Sequence, residues 1–175
     1  MKSIRRSGWS GLIGLAALAL AALGNGCATA HTPPLGGLSQ PQPQLVPYGI
    51  AAMQVAADIE IKLPVSGKTL TVKAGYLFNG CSVPQELWDT GLYPYRPDLC
   101  RAALVHDLLF EAQLPGWTEA AANAEFFVLL AEDGVPGDDL DAIRFGVELA
   151  GWMDWQAHAS DPIGIEYARK FVSVK

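Results

Sequence analysis

The chain has 175 residues, half of them apolar, and a formal net charge of −6 at pH 7. Acidic residues outnumber basic ones and no basic cluster stands out, so the composition argues against nucleic-acid binding. The length suits one small domain with room for a hydrophobic core, and the sequence shows no internal repeat.

The first 26 residues have the pattern of an export signal. Lys2, Arg5 and Arg6 form a basic start, and an uncharged apolar run follows over 12–23. This run is too short to span a bilayer as a helix, so the pattern indicates a signal peptide over 1–26. We therefore expect an exported protein at the periplasmic or outer-membrane face of a bacterial envelope.

Two cleavage sites compete after this signal. Gly26-Cys27 resembles a lipobox, in which Cys27 is lipidated and becomes the first mature residue. The Ala-Thr-Ala of residues 28–30 suits ordinary signal peptidase instead. We favour lipidation, which predicts a lipid anchor in a bacterial membrane and a partner that is protein or lipid. Because the signal removes only basic residues, the mature charge is about −9.

A segment rich in Pro, Gln and Gly follows the signal. Five prolines fall between Thr32 and Pro47, a composition typical of an extended chain. The sequence thus predicts a lipidated tether over 27–47 and a single globular domain over 48–175.

The domain begins with strand signals. Residues 57–63 alternate weakly, residues 69–72 are β-branched, and Val65-Ser66-Gly67-Lys68 between them favours a turn, which together predict a β-hairpin. Pro84 then allows a short helix over 85–90.

Helix signals occupy most of the remaining chain. Apolar periodicity, caps and breakers predict three helices, over about 97–115, 118–133 and 138–158. Thr118 is the expected cap of the second helix, and Asp138 or Asp139 that of the third. The tail after Ile163 receives no assignment. The predicted fold class is α+β, with an N-terminal β-hairpin layer followed by a three-helix bundle.

His106 lies on the apolar stripe of the first long helix. Helix geometry turns its ring toward the core, whereas Asp107 points about 100° away. A buried imidazole needs a hydrogen-bond partner, and Asn123 is the polar residue on the apolar stripe of the next helix. We predict a hydrogen-bonded His106–Asn123 pair.

Two interpretations of this pair remain open. In the catalytic one, His106 is a general base that deprotonates water and Asn123 orients it. Asp107, with carbonyl groups near Asn79 and Gly80, then holds a hard cation such as Ca²⁺. In the other, His106 is a core histidine whose hydrogen bond is satisfied. Residue chemistry alone favours the core histidine.

Cys81 and Cys100 are the cysteines of the predicted domain. An even count in an oxidising compartment favours a disulfide between them. Two buried thiols are the alternative. A nucleophilic pair of Cys81 and His106 is a third interpretation, exclusive with the disulfide.

Three motifs in a fixed order resemble a known family. They are FNGCSVP at 78–84, AALVHDLLF at 102–110 and ANAEF at 122–126. The ordered set is similar to the domain-of-unknown-function family 1353, short bacterial and phage proteins, and covers roughly residues 57–155. That family has no established activity, so the resemblance implies no reaction.

The chain departs from the family pattern at several positions. Asn79 and Asn123 stand where Asp is usual, Cys81 replaces Ala and Phe110 replaces Tyr. Fewer carboxylates mean less support for an imidazolium ion and weaker Ca²⁺ affinity. We therefore expect a binding or structural module.

A looser similarity keeps an enzymatic alternative open. The adjacent His106 and Asp107 look like the site of secreted phospholipases A2, in which a His activates water and the next Asp binds Ca²⁺. This is analogy at the level of a site. It implies a Ca²⁺-dependent ester hydrolase with His106 as general base.

Overall fold

The computed structural model describes residues 40–49, 52–83 and 85–175. The expected signal peptide, Cys27 and most of the expected tether lie outside the described residues. No helix in the described ranges combines the length and hydropathy needed to cross a membrane.

The described strands form two small antiparallel sheets of three strands each. The first sheet has the order β1-β2-β5 and the second β3-β4-β6. Their bounds are β1 (Leu45–Tyr48), β2 (Ala52–Val55), β3 (Ile59–Lys62), β4 (Thr69–Val72), β5 (Leu77–Phe78) and β6 (Val172–Val174).

The predicted hairpin is confirmed as β3 and β4. Ile59 pairs with Val72, and Lys62 pairs with Thr69. Ile61 is fully buried on β3 while its neighbours along the strand are exposed, because successive side chains of a strand point to opposite faces.

Helices make up most of the chain after β5. A 3-10 helix comes first, at the predicted place, and four α-helices follow it within the described residues. Their bounds are Gln85–Thr90 for the 3-10 helix, then α1 (Pro97–Ala112), α2 (Glu119–Glu132), α3 (Gly137–Ala159) and α4 (Pro162–Arg169).

The helix starts follow the sequence signals, with one exception. Thr118 caps α2 as predicted, because its hydroxyl accepts a hydrogen bond from the backbone N–H of Ala121 at 3.2 Å. Helix α3 begins at Gly137 without a side-chain cap. Asp138 and Asp139 lie in its first turn instead, where carboxylates complement the helix dipole.

Helix α1 is the centre of the fold. It packs against α2, α3 and α4, and Leu104, Val105 and Leu108 on it are fully buried. Its core is continuous with residues of both sheets, among them Leu70 and Phe78. A single hydrophobic core therefore positions every element around α1.

The mixed α and β class is confirmed, but the predicted architecture is incomplete. A fourth helix and the strand β6 follow the bundle, and β6 returns to pair with β4 through Val72 and Val172. Strand β1 begins at Leu45, within the expected tether, so the ordered fold begins before the predicted boundary at residue 48. The partner of β6 is distant in sequence, which local patterns do not reveal. Strand β1 instead pairs with the next strand, β2, from Leu45 with Val55 to Tyr48 with Ala52, in a segment whose prolines are not typical of a strand.

Candidate functional site

His106 and Asn123 form the predicted pair. Nε2 of His106 lies 2.8 Å from Oδ1 of Asn123. The amide nitrogen of Asn123 donates to Oε1 of Glu119 at 2.8 Å. With its nitrogen engaged by Glu119, the amide presents its oxygen to the ring, so Nε2 carries the proton and Nδ1 the lone pair.

Helix geometry explains this chain of hydrogen bonds. Glu119 and Asn123 are four residues apart on α2, and such pairs are neighbours on a helix surface. Helices α1 and α2 are joined by a short loop that begins at Gln113, whose φ of 44° is left-handed and ends α1. The short loop lets the stripes of the two helices face each other.

Two aromatic rings enclose the imidazole. The ring centroid of His106 lies 4.1 Å from that of Phe110 and 4.5 Å from that of Phe126. Burial lowers the pKa of His106 to about 4, although the hydrogen bond to Asn123 opposes the shift. The imidazole is therefore uncharged at neutral pH.

Asp107 belongs to a separate acidic group beside this pair. Burial, followed by the negative charges of Glu111 and Asp154, raises the pKa of Asp107 well above its usual range. The hydroxyl of Tyr76 donates to Oε2 of Glu111 at 2.9 Å. Burial nevertheless raises the pKa of Glu111, so these carboxyl groups hold protons more strongly than exposed ones.

A second histidine faces this acidic group. Nε2 of His158 lies 3.5 Å from Oδ2 of Asp154 one turn earlier on α3. Burial disfavours the charge on His158, but Asp154 and the further carboxylates of Glu111 and Asp161 outweigh it and raise its pKa. Sequence reasoning missed this group, although the i, i+4 spacings of 107–111 and 154–158 were visible signals.

The loop expected to supply Ca²⁺ ligands is clamped by Pro94. Gly80 has a φ of 84°, and an added Cβ would lie 2.8 Å from the carbonyl oxygen of Pro94. The backbone N–H of Cys81 donates to that same oxygen at 2.9 Å. The side chain of Asn79 is exposed, whereas that of Asp107 is half-buried.

The described part of the chain contains no preformed cluster of side chains for a metal ion. There, no group of three or more His, Cys, Asp or Glu residues is arranged to hold a metal ion. The Ca²⁺ roles of Asp107, Asn79 and Gly80 remain predictions.

The predicted disulfide is not present in the structure. Cys81 and Cys100 are both buried free thiols. Burial, and then the charge of Asp107, raises the pKa of Cys81 to about 12; burial, and then Asp98, raises that of Cys100 to about 12. Thiols protonated this firmly are poor nucleophiles, which also argues against the Cys81–His106 pair.

Glu125 gives the third sequence motif a structural role. Its carboxylate is buried and accepts hydrogen bonds from the backbone N–H groups of Val65 at 2.9 Å and Ser66 at 2.7 Å. These groups lie in the turn between β3 and β4, so Glu125 fixes the hairpin to α2. Sequence reasoning did not single it out.

The comparison with protein families supports the resemblance in the motifs. Residues 53–139 match the model of a family described as protein of unknown function, DUF1353. The chain belongs to this family. The DUF1353 match runs from β2 into α3 and includes the His106–Asn123 pair. No curated protein and no solved structure in the comparisons matches the chain.

Proposed function

We propose that this DUF1353 protein is an exported bacterial envelope protein, held on a membrane by a lipid on Cys27, whose domain is a binding or structural module. The proposal of a binding or structural module rests on the surroundings and the pKa of His106. Its partner is a neutral amide and its pKa is about 4. A general base works best with a pKa near the working pH, so His106 would be a weak base.

The residues of the three family motifs support the same proposal, because their contacts hold separate parts of the fold together. His106 bonds α1 to Asn123 on α2, and Glu125 bonds α2 to the hairpin turn. Gly80 allows its loop to pack on Pro94. Residues with these contacts maintain the domain, which leaves its outer surface for a partner.

The lipid anchor is tested by membrane fractionation of cells that express the full chain. We expect wild type and a Thr29→Ser control in the membrane fraction, and Cys27→Ser released from it. Equal partitioning of Cys27→Ser and wild type would contradict the anchor. A mature wild-type N-terminus at His31 would instead support ordinary signal cleavage.

A Ca²⁺-dependent ester hydrolase is the second candidate. The observation that favours it is the orientation of His106, whose Nε2 is engaged by Asn123. This leaves Nδ1 as the nitrogen that could accept a proton from water, on a side chain that is only half-buried. In this candidate Asp107 and the loop carbonyls near Asn79 and Gly80 would hold the cation, and a membrane lipid would be the substrate.

A hydrolysis assay distinguishes the two candidates. Full-length protein extracted in detergent is mixed with phospholipid vesicles, with Ca²⁺ or with a chelator, beside His106→Gln. For a module we expect no fatty-acid release above that of the variant under either condition. Ca²⁺-dependent release that is lost in a folded His106→Gln protein would establish the hydrolase and overturn the module.

A further inference from the structure

Helix α3 is apolar on two opposite sides. Its inner side packs on the core through Ile143 and Val147. On its outer side, Phe145, Leu149 and Trp152 follow at spacings of four and three residues, which places them on one stripe. An amphipathic surface helix normally carries polar residues on that side.

The outer stripe is well exposed. The exposed fractions are 46% for Phe145, 55% for Leu149, 64% for Trp152 and 43% for the adjacent Met153. Together these side chains offer roughly 400 Å² of contiguous apolar surface, which is as large as patches that mark interaction sites.

The spacing of this stripe is self-complementary. Leu149 lies one residue from the middle of α3, with Phe145 four residues before it and Met153 four residues after it. A two-fold axis through Leu149 sets two antiparallel copies of α3 side by side, with Phe145 of each opposite Met153 of the other. Isologous dimers require this kind of symmetry.

We propose that the outer face of α3 is a homodimer interface, with two copies crossing antiparallel at Leu149. The same axis places Trp152 opposite Gly146 of the second copy. A Cβ built on Gly146 would meet no atom within 4 Å, so the space above it is open to the indole. Phe145 meets Met153, and sulfur–aromatic contacts are favourable.

Charge selects the antiparallel orientation. Asp138 and Asp141 lie near the start of α3 on the same side as the stripe. In an antiparallel pair they fall opposite Ser160 and Ala157. In a parallel pair each aspartate would lie beside the same aspartate of the second copy, and the two like charges would repel. Acidic residues beside the stripe also disfavour an anionic bilayer as the occupant.

The available area suits a dimer. The four exposed side chains of the two copies together contribute roughly 800 Å² of buried surface, about half of a standard interface. Helix α3 has 23 residues and is therefore about 34 Å long, so the flanking residues along it can contribute the remainder.

Disulfide trapping in intact cells that express the full chain tests the proposal. Leu149→Cys lies on the axis, and we expect copper phenanthroline to convert most of it to a disulfide-linked dimer on a non-reducing gel. Gln156→Cys is the matched control on the same face. In the antiparallel pair, residue 156 of one copy lies about 21 Å from residue 156 of the other along the helix axes. This separation is beyond the reach of a disulfide, so we expect no dimer above wild type.

A second set of variants tests the orientation. Phe145→Cys and Met153→Cys should each give little dimer alone, and the double variant should crosslink as strongly as Leu149→Cys. Because all these positions are exposed, the fold should persist, which protease resistance verifies. Equal crosslinking at 149 and 156, no crosslinking at 149, or a crosslinked product whose mass differs from twice that of the chain would each overturn the proposal.

Discussion

The imidazole of His106 and the side-chain amide of Asn123 meet at 2.8 Å across the contact between α1 and α2. Glu119 holds this amide in place from the other side. An amide is neutral and gives a protonated ring little stabilisation, so burial between Phe110 and Phe126 dominates and the pKa of His106 falls to about 4. The pair thus joins two helices without a buried charge on the ring.

Replacing this amide by a carboxylate should restore the charge. In Asn123→Asp combined with Glu119→Gln, the new Gln can donate to the Asp and the Asp can accept from His106. We expect the pKa of His106 to rise by about one to three units, because an adjacent carboxylate stabilises the imidazolium. NMR titration of the ring measures it, with Glu119→Gln alone as control. A pKa that stays near 4 in the combined variant would contradict this account.

The same pKa predicts a loss of stability in acid. His106 titrates near 6.5 when unfolded and near 4 when folded, so between these values the unfolded chain binds the extra proton and unfolding becomes more favourable. His106→Gln removes this contribution. We expect the stability advantage of wild type over His106→Gln to shrink as the pH falls from about 6.5 to 4, by up to about 3 kcal/mol.

Urea unfolding of both proteins at several pH values measures this change. The difference in unfolding free energy between the two proteins is the quantity to compare. Asp107 and Glu111 have raised pKa values, and their effect on stability has the opposite pH dependence to that of His106. They favour the folded state as the pH falls, but equally in both proteins. A constant difference across the range would show that His106 keeps its ordinary pKa.

The local elements were predictable because their signals are local. The turn at 65–68 and the β-branched strand after it predicted the hairpin, and the Thr118 cap predicted the start of α2. Strand β6 was missed because its partner, β4, lies far away in the chain. Strand β1 pairs with the neighbouring β2, but it contains Pro47 and follows several prolines, a composition that predicts an extended tether instead of a strand. Pairing across a sheet depends on the tertiary fold rather than on the segment.

The candidate site was likewise predictable only where its signals are local. His106 and Asn123 were predictable as partners because each is the polar residue on an apolar stripe and a short loop joins the helices. The acidic group of Asp107, Glu111 and Asp154 depends on how α3 crosses α1, which no local pattern reveals. The disulfide prediction was wrong because a compartment and an even count say nothing about the orientation of two buried thiols.

Asp107 provides a test of the module against the metal site. With its pKa raised by burial and neighbouring carboxylates, ionised Asp107 destabilises the fold at neutral pH. We expect Asp107→Asn to raise the melting temperature at pH 7 to 8, and this gain to vanish as the pH falls and the wild-type carboxyl becomes protonated.

Calcium ions extend this test. For a module, Ca²⁺ should change the melting temperature of wild type and Asp107→Asn alike, as measured by differential scanning fluorimetry. A ligand that binds the folded state stabilises it. Selective stabilisation of wild type by Ca²⁺ would therefore assign Asp107 as a cation ligand and favour the hydrolase.

Gly80, the glycine of the first family motif, should tolerate substitution poorly. Its φ of 84° is left-handed, and a Cβ there would lie 2.8 Å from the carbonyl oxygen of Pro94. Gly91 has a similar φ of 90°, with nothing within 4 Å of an added Cβ. The two positions share the backbone strain and differ in the steric overlap, which makes Gly91→Ala a matched control.

We expect Gly91→Ala to lose about 1 to 2 kcal/mol from backbone strain alone. Gly80→Ala should lose a further 1 to 3 kcal/mol or so, because the loop must move off Pro94 to relieve the overlap. That movement also breaks the hydrogen bond from Cys81 to Pro94 and exposes the buried thiol. Urea unfolding measures both losses, and thiol-reagent labelling of Cys81 should accelerate in Gly80→Ala only. Equal losses and equal labelling would show that the loop is not clamped there.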